Sequence, residues 1–101
     1  MSELSDKARI VLGSVFGWGA VFTYHMVESI PSPEMDAALE ELVQAGKVTR
    51  EIGLPDMTRD AVRYRVADGV DLSPFRKEAF DRLAIGEEPR IRVFIKKGER
   101  P

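Results

Sequence analysis

The chain contains no cysteine. Disulfide cross-links and thiolate metal sites are therefore excluded, and stability has to come from a packed core. It holds a single histidine, His25. A lone imidazole without H-E-x-x-H spacing or an obvious acidic partner does not make a metal site. Serine hydrolysis would need His25 as its base, and no G-x-S-x-G segment accompanies any serine. Gly13, Gly17 and Gly19 lie among apolar residues and lack the G-K-[S/T] continuation of a phosphate loop. Glu40–Glu41 and Glu87–Glu88 are sequence neighbours, which is the pattern of a solvated face rather than of catalytic carboxylates. No enzymatic chemistry and no cofactor are expected.

A long apolar run is also missing. The longest, Ile10 to Phe22 (IVLGSVFGWGAVF), falls short of the roughly 20 residues of a bilayer span, and three glycines interrupt it. Lys7 and Arg9 precede it as they would in a secretory leader, but Glu3 and Asp6 stand with them and no A-x-A site follows. A buried core segment of a cytoplasmic protein without membrane contact is expected. Neither sign of charge dominates, with 15 basic and 17 acidic residues. Their distribution is uneven, however: residues 1–46 hold two basic and seven acidic residues, and residues 47–101 hold thirteen and ten. One face should be acidic and another mildly basic.

What is present suits one soluble domain over residues 1–101, with 44% hydrophobic and 32% charged residues and no repeat or linker. Leu4, Ala8, Val11, Leu12 and Val15 recur with the spacing of one helix face. Ser2 or Ser5 can cap that helix, Asp6 suits its positive end, and Gly17-Trp18-Gly19 ends it. Ala20 to Phe22 allows a brief edge strand. Thr23 reads as the cap of a short helix, Tyr24 to Ser29, which Pro31 stops. Ser32-Pro33 starts another, with Met35, Leu39, Leu42 and Val43 as its apolar face and Gly46 as its stop. Lys47–Ile52 and Ala61–Ala67 read as the strands of a hairpin whose tip is Gly53-Leu54-Pro55-Asp56.

Beyond the hairpin, Ser73-Pro74 repeats the helix start, and Phe75, Ala79, Phe80 and Leu83 are expected on one face of that helix. Arg90 to Lys97 alternates as a strand with an apolar face of Ile91, Val93 and Ile95. Such a strand has to pair, either beside Ala61–Ala67 of its own chain or with a second copy. Phe16, Trp18 and Phe22 concentrate aromatic surface near the end of the first helix. Core packing is one reading of them and a surface anchor at Trp18 is the other.

The segments VFTYHMVESIPSPEMDAALEELVQAGKVTRE and AVRYRV resemble the winged helix-turn-helix superfamily. The features concerned are a third helix rich in small residues, a Leu-x-x-Ala-Gly-Lys-Val exit into a strand, and a Tyr flanked by Arg on the return strand. The resemblance spans residues 4–67 and implies an α+β fold of three helices and a two-stranded wing, with residues 71–97 as a helix-and-strand extension. It further implies that the third helix enters the DNA major groove. In this chain that surface would present Glu34, Asp36, Ala37, Glu40, Glu41 and Gln44. Four carboxylates without a cation repel a duplex whose binding depends on phosphate neutralisation.

Two readings follow. In the first, the acidic helix docks a protein partner through Glu34, Asp36, Glu40, Glu41 and Gln44. In the second, a dimeric transcriptional regulator contacts phosphate through Arg50, Arg59, Arg63, Arg65, Arg92 and Lys96. The hairpin arginines have a competing use, since Glu51, Asp56, Asp60 and Asp68 could pair with them. A phage or mobile-element inhibitor is a third possibility for a small acidic fold.

Overall fold

The computed structural model describes residues 4–17, 19–26, 29–86 and 94–96. In chain order these form α1 (Asp6–Ser14), β1 (Val21–His25), β2 (Ser29–Pro31), α2 (Pro33–Gln44), β3 (Val48–Ile52), β4 (Ala61–Val66), α3 (Ser73–Ala84) and β5 (Phe94–Lys96). The fold is α+β. One antiparallel sheet has the order β1-β4-β3, and a second consists of β2 and β5.

Local sequence explains the helices that seal the core. Ser5 caps α1 by accepting the Ala8 N–H at 3.2 Å, and Asp6 sits in the first turn. Ser32 caps α2 by accepting the Met35 N–H at 3.1 Å, with Pro33 in the first turn. Gly46, at φ 74°, releases α2 into β3 in the left-handed conformation that glycine adopts without strain. Met35, Leu39 and Leu42 of α2 are fully buried and meet Ala8, Val11 and Leu12 of α1 in the same cluster. Each large apolar side chain removed from water in this way contributes about 1.5–3 kcal/mol.

The sheet supplies the other wall. Phe22 and Tyr24 of β1, Val48 of β3, and Val62 and Tyr64 of β4 all point inward. The Phe22 ring lies 6.2 Å from both Phe16 and Tyr24 and 6.4 Å from Tyr64, in tilted and edge-on arrangements that aromatic pairs favour. This packing overrides the expected helix from Tyr24 to Ser29. Tyr24 and His25 lie in β1 and Ser29 in β2, and Thr23 pairs with Arg63 rather than capping a helix. The cause is a period of two: Phe22 and Tyr24 are buried while Thr23 and His25 face solvent. Val27 and Glu28 lie outside the described residues, as does Trp18.

The third helix comes instead from α3, which runs antiparallel along α1. Gly13 allows the close approach, since a Cβ there would lie 2.1 Å from the Phe75 carbonyl oxygen. At the far end, Arg9 bonds Glu78 at 3.2 Å, and Arg82 reaches Glu78 at 3.2 Å and Asp6 at 3.3 Å. Phe75 and Ala79 share the partly buried face that meets α1. Phe80 and Leu83 do not share their face, and are 67% and 56% exposed. One extra residue of spacing rotates a side chain by about 100° around the helix, which carries Phe80 away from α1.

The C-terminal strand also departs from expectation. Phe94–Lys96 pairs with β2, matching Ile95 to Ile30, and not with Ala61–Ala67. β4 is the central strand, occupied by β1 on one side and β3 on the other, so it has no free edge to offer. Residues 90–93 and 97 of the expected strand lie outside the described residues. Among the described residues, no helix is long and apolar enough to cross a membrane.

Candidate protein-binding surface

The inward face of α2 is fixed by Met35, Ala38, Leu39 and Leu42, so helical geometry dictates what points outward. Glu34, Asp36, Ala37, Glu40 and Gln44 are exposed, as their spacing implies. Glu34 lies 3.5 Å from the Lys7 ammonium, and Gln44 donates to Glu40 at 3.0 Å, an i,i+4 contact. Asp36 and Glu40 have no ion-pair partner among the described residues.

Glu41 is different. It is only partly exposed, and its carboxylate accepts the Ser5 N–H at 2.6 Å. That donor lies at the start of α1, where backbone N–H groups have no partner within the helix and the macrodipole favours an anion. Glu41 therefore ties α2 to α1. Unlike Glu40, Glu41 is shared between the outer surface of α2 and the junction with α1. The same junction forms a shallow groove of about 330 Å³, lined by Pro33, Ala37 and Ala38 with Lys7, Glu34 and Glu41 around them. An apolar floor with carboxylates beside it suits a side chain that joins a hydrocarbon stem to a cationic head.

The arginines of the second reading are scattered. Strand alternation puts Arg63 and Arg65 on the outer face of the sheet, where Glu51 is the cross-strand partner of Arg63. Arg63 donates to Glu51 at 2.5 Å and to Asp56 at 3.0 Å, and Arg65 lies 3.3 Å from Glu51. These bonds hold the Glu51 and Asp56 carboxyls below their ordinary values, chiefly through the hydrogen bond from Arg63. The Arg63 guanidinium is raised in turn, first by Asp56 and then by Glu51. Two cations thus share two anions, and little net positive charge faces outward.

Arg50 faces the other way. Its cross-strand partner is Tyr64, which places it on the α2 side of the sheet. Burial pushes the Tyr64 hydroxyl up, Arg50 works against that shift, and Asp36 and Glu40 reinforce it. Arg50 thus borders the acidic surface instead of extending a basic wing. Arg59 is exposed in the hairpin tip. Lys96 belongs to the other sheet, opposite Ser29. Arg92 lies outside the described residues. The sequence could not place Arg50 near Asp36, because only the strand register shows which face it takes.

Among the described residues, no group of histidine, aspartate and glutamate side chains could hold a metal ion. Comparison of the chain with protein-family models, with curated proteins and with solved structures finds no match.

Proposed function

We propose that this protein is a small non-enzymatic module of winged-helix type that binds a protein partner presenting basic side chains to the outer surface of α2. One observation carries the reading. Asp36 and Glu40 stand exposed without an ion-pair partner among the described residues, while Arg63 and Arg65 are held by Glu51 and Asp56. Available charge on the α2 side is mainly negative, with Arg50 at its border, and the positive charge on the outer sheet face is largely spent internally. The groove beside Pro33 and Ala37 adds apolar floor for the stem of a lysine or arginine.

Support for the winged-helix part is the order α1, β1, β2, α2, then the β3–β4 hairpin, with β1 pairing with β4. The departure is the strand at residues 24–25, where a helix belongs in the resemblance. DNA regulation remains the competing reading, with its cations divided between two faces of one sheet and a second sheet. Asp36→Lys with Glu40→Lys tests the choice, and Glu41 is left in place because it anchors α1. The variant should keep the wild-type melting temperature and lose the protein that wild type recovers from extracts of its source cells. Mixed duplex DNA at low salt should not be shifted by the wild type. Retained partner recovery, or a salt-sensitive shift of duplex DNA, would overturn the proposal.

A further inference from the structure

Among the described residues the outward side of α3 carries the most exposed apolar surface, and nothing in the acidic-surface reading uses it. Phe80 is 67% exposed and Leu83 56%, yet the helix that bears them is held in place by Gly13, Phe75 and the Arg9–Glu78 pair on its other side. Helical spacing puts Arg76, Phe80, Leu83 and Ala84 on one stripe, flanked by Lys77 and Asp81. Beside the stripe runs a groove of about 510 Å³, in which Gly13, Ser14 and Ala79 supply small walls next to Phe80 and Leu83. An aromatic ring stands beside a hollow roomy enough to receive another ring.

We infer that this stripe is a homodimer interface, with α3 of one copy lying antiparallel against α3 of a second. The occupant is chosen by charge. Lys77 lies one helical turn before Asp81, and within one copy the two bond at 2.8 Å while staying largely exposed. A two-fold axis near residues 79 and 80 sets Lys77 of each copy beside Asp81 of the other. The same axis brings Phe80 against Phe80 and lays the Arg76 stem over Leu83. A surface of this kind is complementary to itself, as an isologous contact requires. It also covers apolar area that a soluble monomer otherwise leaves in water. The antiparallel arrangement opposes the two helix dipoles favourably.

The test uses the full chain in sedimentation equilibrium over a concentration series. Wild type should show a monomer–dimer equilibrium, and Phe80→Glu should weaken it by roughly tenfold or more, as expected for a central aromatic anchor. The melting temperature of dilute monomer should not change, because Phe80 is not part of the core. Lys77→Asp and Asp81→Lys should each weaken self-association roughly two- to fivefold. Mixed together, those two variants should form a heterodimer tighter than either homodimer, because every cross-copy pair is then opposite in sign. Wild type that stays monomeric throughout the series would overturn the inference. A dimer indifferent to Phe80→Glu, or a mixture no tighter than its components, would overturn it too. Loss of binding to a different protein by Phe80→Glu, with wild type monomeric, would assign the stripe to that partner instead. These outcomes are independent of Asp36 and Glu40, so the α2 proposal can fail while this one stands, and the reverse.

Discussion

α2 and α3 are both twelve residues long, and a Ser-Pro pair opens each of them. They are used in opposite ways. α2 buries four residues and seals the core between α1 and the sheet, whereas α3 buries none. Their caps differ as well. Ser32 precedes α2 and its hydroxyl accepts a backbone N–H, whereas Ser73 is already inside α3 and Leu72 occupies the cap without a side-chain bond. At α3 the cap function passes to Asp71, whose carboxylate accepts the Ser73 N–H at 3.0 Å. Identical start signals therefore do not imply identical roles. What separates the two helices is the content of their faces, since α2 concentrates its large apolar residues on one side and α3 divides them between two.

The sharpest way to break this comparison is to truncate one leucine in each helix. Leu39→Ala or Leu42→Ala removes a fully buried side chain from the α1–α2–sheet cluster and should cost about 2–5 kcal/mol in denaturant unfolding. Leu83→Ala removes an exposed one and should stay within about 0.5 kcal/mol of wild type at concentrations where the chain is monomeric. Equal losses at Leu39 and Leu83 would mean that α3 belongs to the core and that its outward stripe is covered.

A second substitution tests how α3 is held. A Cβ at Gly13 would sit 2.1 Å from the Phe75 carbonyl oxygen and 3.2 Å from the Ala79 Cβ, and backbone cannot swing aside as a side-chain tip can. Gly13→Ala should therefore cost about 1–3 kcal/mol, despite the better helix propensity of alanine. Hydrogen exchange should localise the damage to α3, with α2 amides protected as before. An alanine variant as stable as wild type would show that the two helices are not in backbone contact.

The caps give a smaller contrast. Ser32→Ala should cost about 1 kcal/mol, because it removes the acceptor of the Met35 N–H at a site only 4% exposed. Ser73→Ala should fall within about 0.5 kcal/mol, as the backbone N–H that Asp71 accepts remains in place. Reversal of that order, measured by thermal unfolding, would show that Ser73 is the true cap of α3.

Much of this was legible from residues alone. The face of α2 followed from Met35, Leu39 and Leu42, its stop from Gly46, and the hairpin from the turn residues between two β-branched runs. Tyr24, His25 and Ser29 take strand in place of the expected helix: Thr23 and Pro31 carry helix punctuation, while the aromatic alternation of Phe22 and Tyr24 gains its meaning only against Val62 and Tyr64. The separation of Phe75 from Phe80 depended on which arc of α3 meets α1, and Gly13 decides that from 62 positions away in the chain. Glu41 looked equivalent to Glu40 in the sequence. Only the arrival of Ser5 beside it separates a residue that bonds α1 from one that bonds Gln44 within its own helix.

The smallest expected effect concerns pH, and it contrasts the two carboxylate sets. Glu51 and Asp56 ordinarily titrate at 4.5 and 3.8, and Arg63 holds both lower in the folded chain by hydrogen bonding to their ionised forms. The unfolded chain therefore takes up protons before the folded one as pH falls. Stability from these groups is complete above the ordinary carboxylate values and is lost as pH drops through the lowered folded ones. Arg63→Gln removes the cause, so the acid side of the melting curve should flatten. The gap in melting temperature between wild type and variant should be widest near neutral pH and close as pH falls below the ordinary carboxylate values. Asp71 is also lowered, by the Ser73 N–H, and it keeps that bond in the variant, so some acid sensitivity should persist. Added salt should narrow the neutral-pH gap, because the pairs sit where water reaches them. Glu40→Gln on α2, by contrast, breaks no ion pair among the described residues and should change the neutral-pH melting temperature by less than Arg63→Gln does. Parallel acid limbs for wild type and Arg63→Gln would show that Arg63 does not hold Glu51 and Asp56, and its charge would then be available on the outer face of the sheet.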